Sequence, residues 1–308
     1  MTAALITHSD CLLHDNGSEY HPESPDRLDA IKDRLILSGL NGVLAHHDAP
    51  QAQKHDLCRV HDKQYVDRVF ETAPTHGNIV LDGDTGMNPD SLNAALRSAG
   101  AMLKAVDLVM GDGSKQAFCD VRPPGHHAGV SRAAGFCIFN NVAVGAAYAM
   151  EKYGLQRIAI LDFDVHHGNG TEEIFSGDAR VLFGSSFQHP FYPYSGADTD
   201  QPNIMNLPLP SGTTGSEWRQ AVSTQWLPRL GVFEPELIII SAGFDSHWED
   251  DMGGFRLLEA DYAWFTKEMS ELAEKYANGR IISCLEGGYD LPSLGRSVVA
   301  HIEQLAGS

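Results

Sequence analysis

Apolar runs that read as strands alternate with segments of helical spacing along the whole sequence, which predicts an α/β fold on a mainly parallel sheet. Two further observations support this. The runs at 158–161, 236–241 and 281–285 are almost continuously apolar, as in strands covered on both faces. Four predicted strands also lead straight into loops carrying His, Asp or Tyr, and in open α/β sheets ligands bind just past the strands' carboxyl ends.

Residues 3–7 read as a first short strand. After a polar loop, Ser24-Pro25 predicts a helix start, an N-cap hydroxyl followed by proline at the first helical position. Leu28, Ile31 and Leu35 then share one face, and Gly39 or Gly42 ends the helix. Arg27 falls in its first turn, where a cation opposes the helix dipole. It either answers a buried carboxylate or a product anion, or is a plain surface charge. Residues 55–70 read as one helix, 74–90 as a Gly-, Asp- and Pro-rich loop of the kind that rims a site, and 90–110 as a second helix. The strand at 117–121 runs into Arg122-Pro123-Pro124-Gly125-His126-His127, and a helix at 141–153 ends at Gly154.

The strand at 158–161 opens the segment the chain is organised around, Asp162-Phe163-Asp164-Val165-His166-His167-Gly168-Asn169-Gly170. A short helix at 172–175, a strand at 181–183, an aromatic loop at 185–195 and an irregular stretch at 201–215 follow. Ser216 starts a helix over 217–230. The strand 236–241 ends at Ala242-Gly243-Phe244-Asp245-Ser246, an amphipathic helix covers 259–277, and the strand 281–285 leads to Glu286-Gly287-Gly288-Tyr289. A helix over about 293–306 is the last element. No repeat, low-complexity segment or linker interrupts the series, so 1–308 reads as a single domain.

Composition excludes several classes. The net charge of −19 argues against a nucleic-acid binder, which needs basic clusters. It suits a cationic substrate drawn to an acidic mouth, and equally an acidic surface that only keeps the protein soluble. No apolar run reaches the ~20 residues of a membrane helix, and the N-terminus lacks the pattern of a signal peptide. The five cysteines form no CxxC pair, and three of them, Cys119, Cys137 and Cys284, lie in or beside apolar runs. A cytoplasmic location follows.

A lone Asp or His past a strand usually caps the next helix. Four strand ends carrying such residues are too much buried polar material for capping alone. Asp164 and His166, two apart in extended backbone, leave on one side; with Asp245 they make a three-ligand O/N set, leaving a coordination position for water and substrate. Zinc is the expected metal, and iron(II) suits the same donors. Adjacent histidines point differently, so one base is expected: His127, with His126 as its electrostatic partner. Asp162 and Asn169 are candidates to fix their tautomers, and Tyr289 to donate to a developing oxyanion.

These motifs, with Gly135-Phe136-Cys137, resemble the zinc-dependent histone deacetylase family, in particular its class II-like bacterial deacetylase and acetylpolyamine amidohydrolase branch. The likeness runs from about His21 to Tyr289. It implies the three-layer arginase/deacetylase-like fold, a central sheet of about eight strands with helices on both faces, and hydrolysis of N-acetylated amines. Position by position it implies Asp164, His166 and Asp245 as zinc ligands, His127 as general base and acid beside His126, and Tyr289 as the carbonyl-polarising tyrosine. Phe136 and Tyr192 match the aromatic walls of a substrate tunnel, to which Gly135, Met252, Gly287, His21 and Asp84 are added as substrate-binding positions. It further implies potassium (K+) near Asp162, Asp164, His166, Ser186 and Phe187, a second potassium near Phe175, Asp178 and Val181, and Arg27 on an inner acetate channel. Asn169 stands where the class I branch has aspartate, while Tyr289 is retained, which favours full acetyl-lysine hydrolysis.

Two substrates follow: acetylated protein lysines, or acetylated polyamines. A short 74–90 loop and apolar Met252 lean towards lysine; Glu249, Asp250 and Asp251 lean towards a cationic polyamine. A non-catalytic acetyl-lysine binder would be expected to lose the base or the tyrosine, and both are present. No nucleic-acid or membrane partner is expected, and an oligomer is compatible with the sequence.

Overall fold

The structure is a computed structural model that describes residues 2–307 except Glu19 and Asp112. The strands are β1 (Ala4–Thr7), β2 (Ala45–Asp48), β3 (Ile79–Asp82), β4 (Thr85–Met87), β5 (Gln116–Cys119), β6 (Ile158–Asp162), β7 (Val181–Gln188), β8 (Ile204–Leu209), β9 (Leu237–Ala242) and β10 (Ile281–Leu285). The helices are α1 (Asp26–Ser38), α2 (Lys54–Leu57), α3 (Lys63–Thr72), α4 (Ser91–Met110), α5 (Asn141–Tyr153), α6 (Asn169–Phe175), α7 (Gly215–Ala221), α8 (Leu227–Phe233), α9 (Glu259–Tyr276) and α10 (Leu291–Leu305).

Eight strands form one parallel sheet in the order β2-β1-β5-β10-β9-β6-β7-β8, flanked by helices as the sequence predicts. α1, α9 and α10 pack together as one group, and α4 and α5 as another. β6, β9 and β10 are buried at every position, so side chains pointing to either face lose water. Each buried Ile, Leu or Val there contributes roughly 1.5–3 kcal/mol of transfer free energy.

One consequence of the order positions the site. β5, β10, β9 and β6 are neighbours, and their carboxyl ends all leave the sheet on the same edge. The loops after them therefore converge although they are far apart in the chain.

Several elements differ from expectation. Ser24 does not cap α1: the helix begins at Asp26 after Pro25, with no side-chain cap. Gly39, in the left-handed conformation at φ 83°, ends it as expected. The single helix at 55–70 is α2 and α3, broken at 58–62. The 74–90 loop contains the antiparallel pair β3–β4. β7 continues to Gln188, through part of the expected aromatic loop, and β8 fills part of the irregular stretch. The 217–230 helix starts at Gly215, capped by Thr214 and Glu217, and passes through a π-helical segment, Val222–Trp226, before α8.

Candidate active site

The backbone bends immediately after β6. Asp164 N–H donates to Asp162 Oδ1 (3.0 Å) and His166 N–H to Asp164 Oδ1 (2.9 Å). Asp164 and His166 thus meet through a bend rather than the extended backbone expected. His166 Nδ1 lies 3.0 Å from Asp164 Oδ1 and 3.2 Å from Asp245 Oδ2. Asp164, His166 and Asp245 are all buried, and their ligand atoms lie within 4.8 Å of one another, the only such metal-ligating group among the described residues. Two carboxylates and one imidazole are donors that suit zinc. The fit has a second sign: the remaining oxygens are held by backbone, Asp164 Oδ2 by Gly287 N–H (2.9 Å) and Asp245 Oδ1 by Val165 N–H (2.9 Å). Only glycine permits this closeness. A Cβ on Gly243 would run into Asp164 Oδ2, and one on Gly287 into Asp245 Oδ2.

The loop after β5 brings two histidines to the same place, their rings 4.0 Å apart. His126 Nδ1 is 2.8 Å from Asp162 Oδ2, and His127 Nδ1 is 2.8 Å from Asn169 Oδ1. The difference between a carboxylate and an amide partner separates them. Burial opposes charge on His126, but Asp162 and Asp164 outweigh it and push its pKa up to about 10. His127 is held well below the ordinary value by burial and then by the charges of His126 and His166.

Past β10, Tyr289 is half-buried over the Arg27 guanidinium, 5.0 Å from its ring centre. Arg27 is no surface charge. It is fully buried, donates to Gly288 O (2.7 Å), to Glu286 O and to Glu23 Oε1 (3.0 Å), and so pins the chain around Tyr289.

A cavity of about 250 Å³ opens onto these groups. Phe136 and Tyr289 line it with Phe191, Tyr192, Met252 and Asp251, and His127, His166, Gly135 and Asp84 complete it. Phe136 sits at φ 67°, a strained conformation for a non-glycine residue. Its N–H donates to Thr85 Oγ1 (3.0 Å), and Gly135 N–H to Asp84 Oδ1 (3.0 Å), so the β3–β4 turn anchors this wall. His21 packs edge-on against Phe136 at 4.6 Å.

Two of the acidic residues expected at the mouth lie elsewhere. Asp250 is not at the mouth: it is buried and accepts from the N–H groups of Tyr289 (2.6 Å), Asp290 (3.0 Å) and Met252 (2.9 Å). Glu249 is paired with Arg296 (2.5 Å). Of that acidic trio only Asp251 lines the cavity. Ser186 and Phe187 lie in buried β7, Ser186 Oγ accepting from Trp218 Nε1 (3.0 Å). Phe175, Asp178 and Val181 lie away from the cavity, in the turn from α6 to β7.

Three residues of the site were not foreseen. Phe191 stacks on His166 at 5.3 Å. Glu286 is buried and accepts from Gly125 N–H (2.7 Å) and His126 N–H (3.1 Å), fixing the histidine loop to β10. Thr85 anchors Phe136. A signal existed for Glu286, which directly follows an apolar strand.

The histone deacetylase domain pattern matches residues 21–305. The chain is 36% identical to a histone deacetylase-like amidohydrolase of Pseudomonas aeruginosa, over 93% of this chain and 77% of that protein. It is 36% identical to a probable deacetylase of Archaeoglobus fulgidus, over 94% and 82%. The type-2 histone deacetylase 2 of Dictyostelium discoideum is 36% identical over 97% of this chain, which spans 20% of that longer protein. The solved HD domain of HDA15 superposes with a TM-score of 0.93 at 35% identity, over 100% of this chain and 90% of that one.

Proposed function

The chain belongs to the histone deacetylase family and is a hydrolase of that kind, and from this premise we propose that it removes acetyl groups from lysine side chains of proteins. One observation carries the reading: His127 and Tyr289 line an aromatic-walled cavity that meets the Asp164–His166–Asp245 group at His166. Asp164, His166 and Asp245 would hold zinc, which when bound would supply Lewis acidity and make a nearby water more acidic. His127 donates from Nδ1 to Asn169 Oδ1, which leaves Nε2 free to take the water's proton. Tyr289 donates its phenolic hydrogen to the oxygen on which charge develops. His127 then returns the proton to the departing amine. His126, kept positive by Asp162, stabilises that negative charge from beside the base.

Phe136 and Tyr192, with Phe191, suit a thin methylene stem. Glu249 and Asp250 are committed to Arg296 and to the Tyr289 loop, so the mouth is less acidic than the sequence implies. Asp251 and Asp84 are what remains in favour of an acetylated polyamine. In this reading 1–308 works as one domain, a potassium ion sits beside Asp162, Asp164, His166, Ser186 and Phe187, and Arg27 borders the path of the leaving acetate. Five free cysteines, four of them buried, support a reducing cytoplasm.

The test compares kcat/KM of zinc-loaded protein on an acetyl-lysine peptide and on an N-acetylated polyamine, with Tyr289→Phe as control. The peptide is expected to be the better substrate, and the control to lose at least ~10²-fold in kcat, about 2.7 kcal/mol of oxyanion stabilisation, with zinc content unchanged. A polyamine preference of tenfold or more, ~1.4 kcal/mol, overturns the lysine reading.

A further inference from the structure

The turn from α6 to β7 directs three backbone carbonyls at one point. Gly177 reverses the chain at φ 83°. Asp178 N–H then donates to Phe175 O, and Val181 N–H to Asp178 O, each at 3.0 Å. A carbonyl has two lone pairs, and those left over on this turn are not idle. Phe175 O, Asp178 O and Val181 O all accept from a single atom, Asn203 Nδ2, at 2.8, 3.2 and 3.0 Å.

Converging carbonyls are what a dehydrated monovalent cation uses in place of its water. These three residues are also where the family resemblance implies a second potassium. The residues do not fit that ion, because its place is taken. The Asn203 side chain is buried, and its amide has one workable orientation. Oδ1 accepts from Gly177 N–H at 3.1 Å. Turning the amide over would set an oxygen against three carbonyl oxygens and an NH2 against an N–H. The main chain is fixed as well: Phe183 N–H donates to Asn203 O (2.9 Å), holding Asn203 at the entry to β8 beside the first residues of β7.

We propose that the Asn203 side-chain amide is a built-in substitute for a cation, and that the α6–β7 turn of this protein closes without potassium and binds none. The NH2 group occupies the lone pairs that the turn's own N–H bonds leave over on these carbonyls. Being neutral, it needs no counter-charge, and being covalent, it is present at any salt concentration. Any potassium dependence of the protein then arises at another position. The inference stands whether or not the substrate assignment holds, since it concerns a turn outside the catalytic cavity.

Thallium(I), a potassium mimic with strong anomalous scattering, gives the direct test. Wild-type crystals soaked in thallous acetate are expected to show no peak among the carbonyls of Phe175, Asp178 and Val181. A peak there, with the amide swung away, overturns the proposal, and this arm needs no variant. In Asn203→Ala, which leaves room for an ion, a peak is expected. In solution, melting of zinc-loaded wild type and Asn203→Ala is compared in choline, sodium and potassium chloride at equal ionic strength. Potassium is expected to raise the variant's Tm by more than the wild type's. Equal increments would mean that the amide replaces nothing.

Discussion

Asp120, one residue past β5, is buried, and its Oδ1 has no hydrogen-bond partner. Burial pushes its pKa up to about 7, with Arg27 opposing and Asp29 adding to the rise. A folded-state pKa above the unfolded value of about 3.9 means the stability tied to this group is fully present below that value. It is lost as pH rises through about 7. Asp120→Asn is therefore expected to be more stable than wild type at pH ~8, by on the order of 1–4 kcal/mol, with the gap closing by pH ~4. Urea unfolding at the two pH values decides it, and a gap of equal size at both would sink the idea. Gly287 is the opposite case, a residue defined by what it lacks. Gly287→Ala is expected to drive Asp164 and Asp245 apart and to cost zinc content along with at least ~10²-fold in activity; the loss falls within the reach of misplaced catalytic groups. Metal analysis of the purified variant checks this, and full zinc occupancy would refute it. At this scale the sequence was most readable where polar residues stand just past apolar strands, as Asp164, His166 and Asp245 do. Asp250 was misread because its task, capping the N–H groups of Tyr289 and Asp290, comes from a contact across some forty positions that no local pattern records.

Among elements, the central strands were legible because two-sided burial leaves an unbroken apolar run. The edges were not. β8 contains Pro208 and keeps only part of its surface buried, as edge strands do, so it reads as irregular. The β3–β4 pair is too short, and too alternately exposed, to stand out from a loop, yet it holds Phe136 in its strained conformation through Thr85. The break at 58–62 within the 55–70 pattern is likewise tertiary: His61 accepts from Asn140 N–H (2.9 Å) and meets Gly129 O (2.8 Å), contacts a continuous helix would not offer. The loop after β9 makes a prediction of its own. With Asp250→Ala the Tyr289 segment loses its anchor, and kcat is expected to fall ~10–100-fold with KM changed much less, because in the proposed mechanism the tyrosine acts only as charge develops. The lost charged hydrogen bonds, worth ~1.5–3 kcal/mol each, should also lower Tm. Steady-state kinetics beside a melting curve test both, and a change confined to KM would contradict the anchoring role.

For the whole molecule, the site depends on four strands that are adjacent in the sheet and dispersed in the chain. Placing Asp164 beside Asp245 puts two carboxylates close together in a buried setting, a repulsion that a divalent ion relieves. Removal of metal by a chelator is expected to abolish turnover and lower Tm, and zinc to restore both, by ~2.7 kcal/mol at a hundredfold excess over Kd. Calorimetry with and without zinc checks this; an unchanged Tm would show that the cluster is relaxed without metal. The order β5-β10-β9 has a further consequence, for biosynthesis. β10 begins at Ile281, yet it lies between β5 and β9, two strands that leave the ribosome well before it. Until it arrives, the nascent chain carries a gap in the middle of its sheet, with the facing edges of β5 and β9 unpaired. Pairings that close over so many residues form slowly. Until β10 emerges the nascent chain is thus exposed to aggregation, and a chain cut short before β10 would lack both the middle of its sheet and the Tyr289 side of the candidate site.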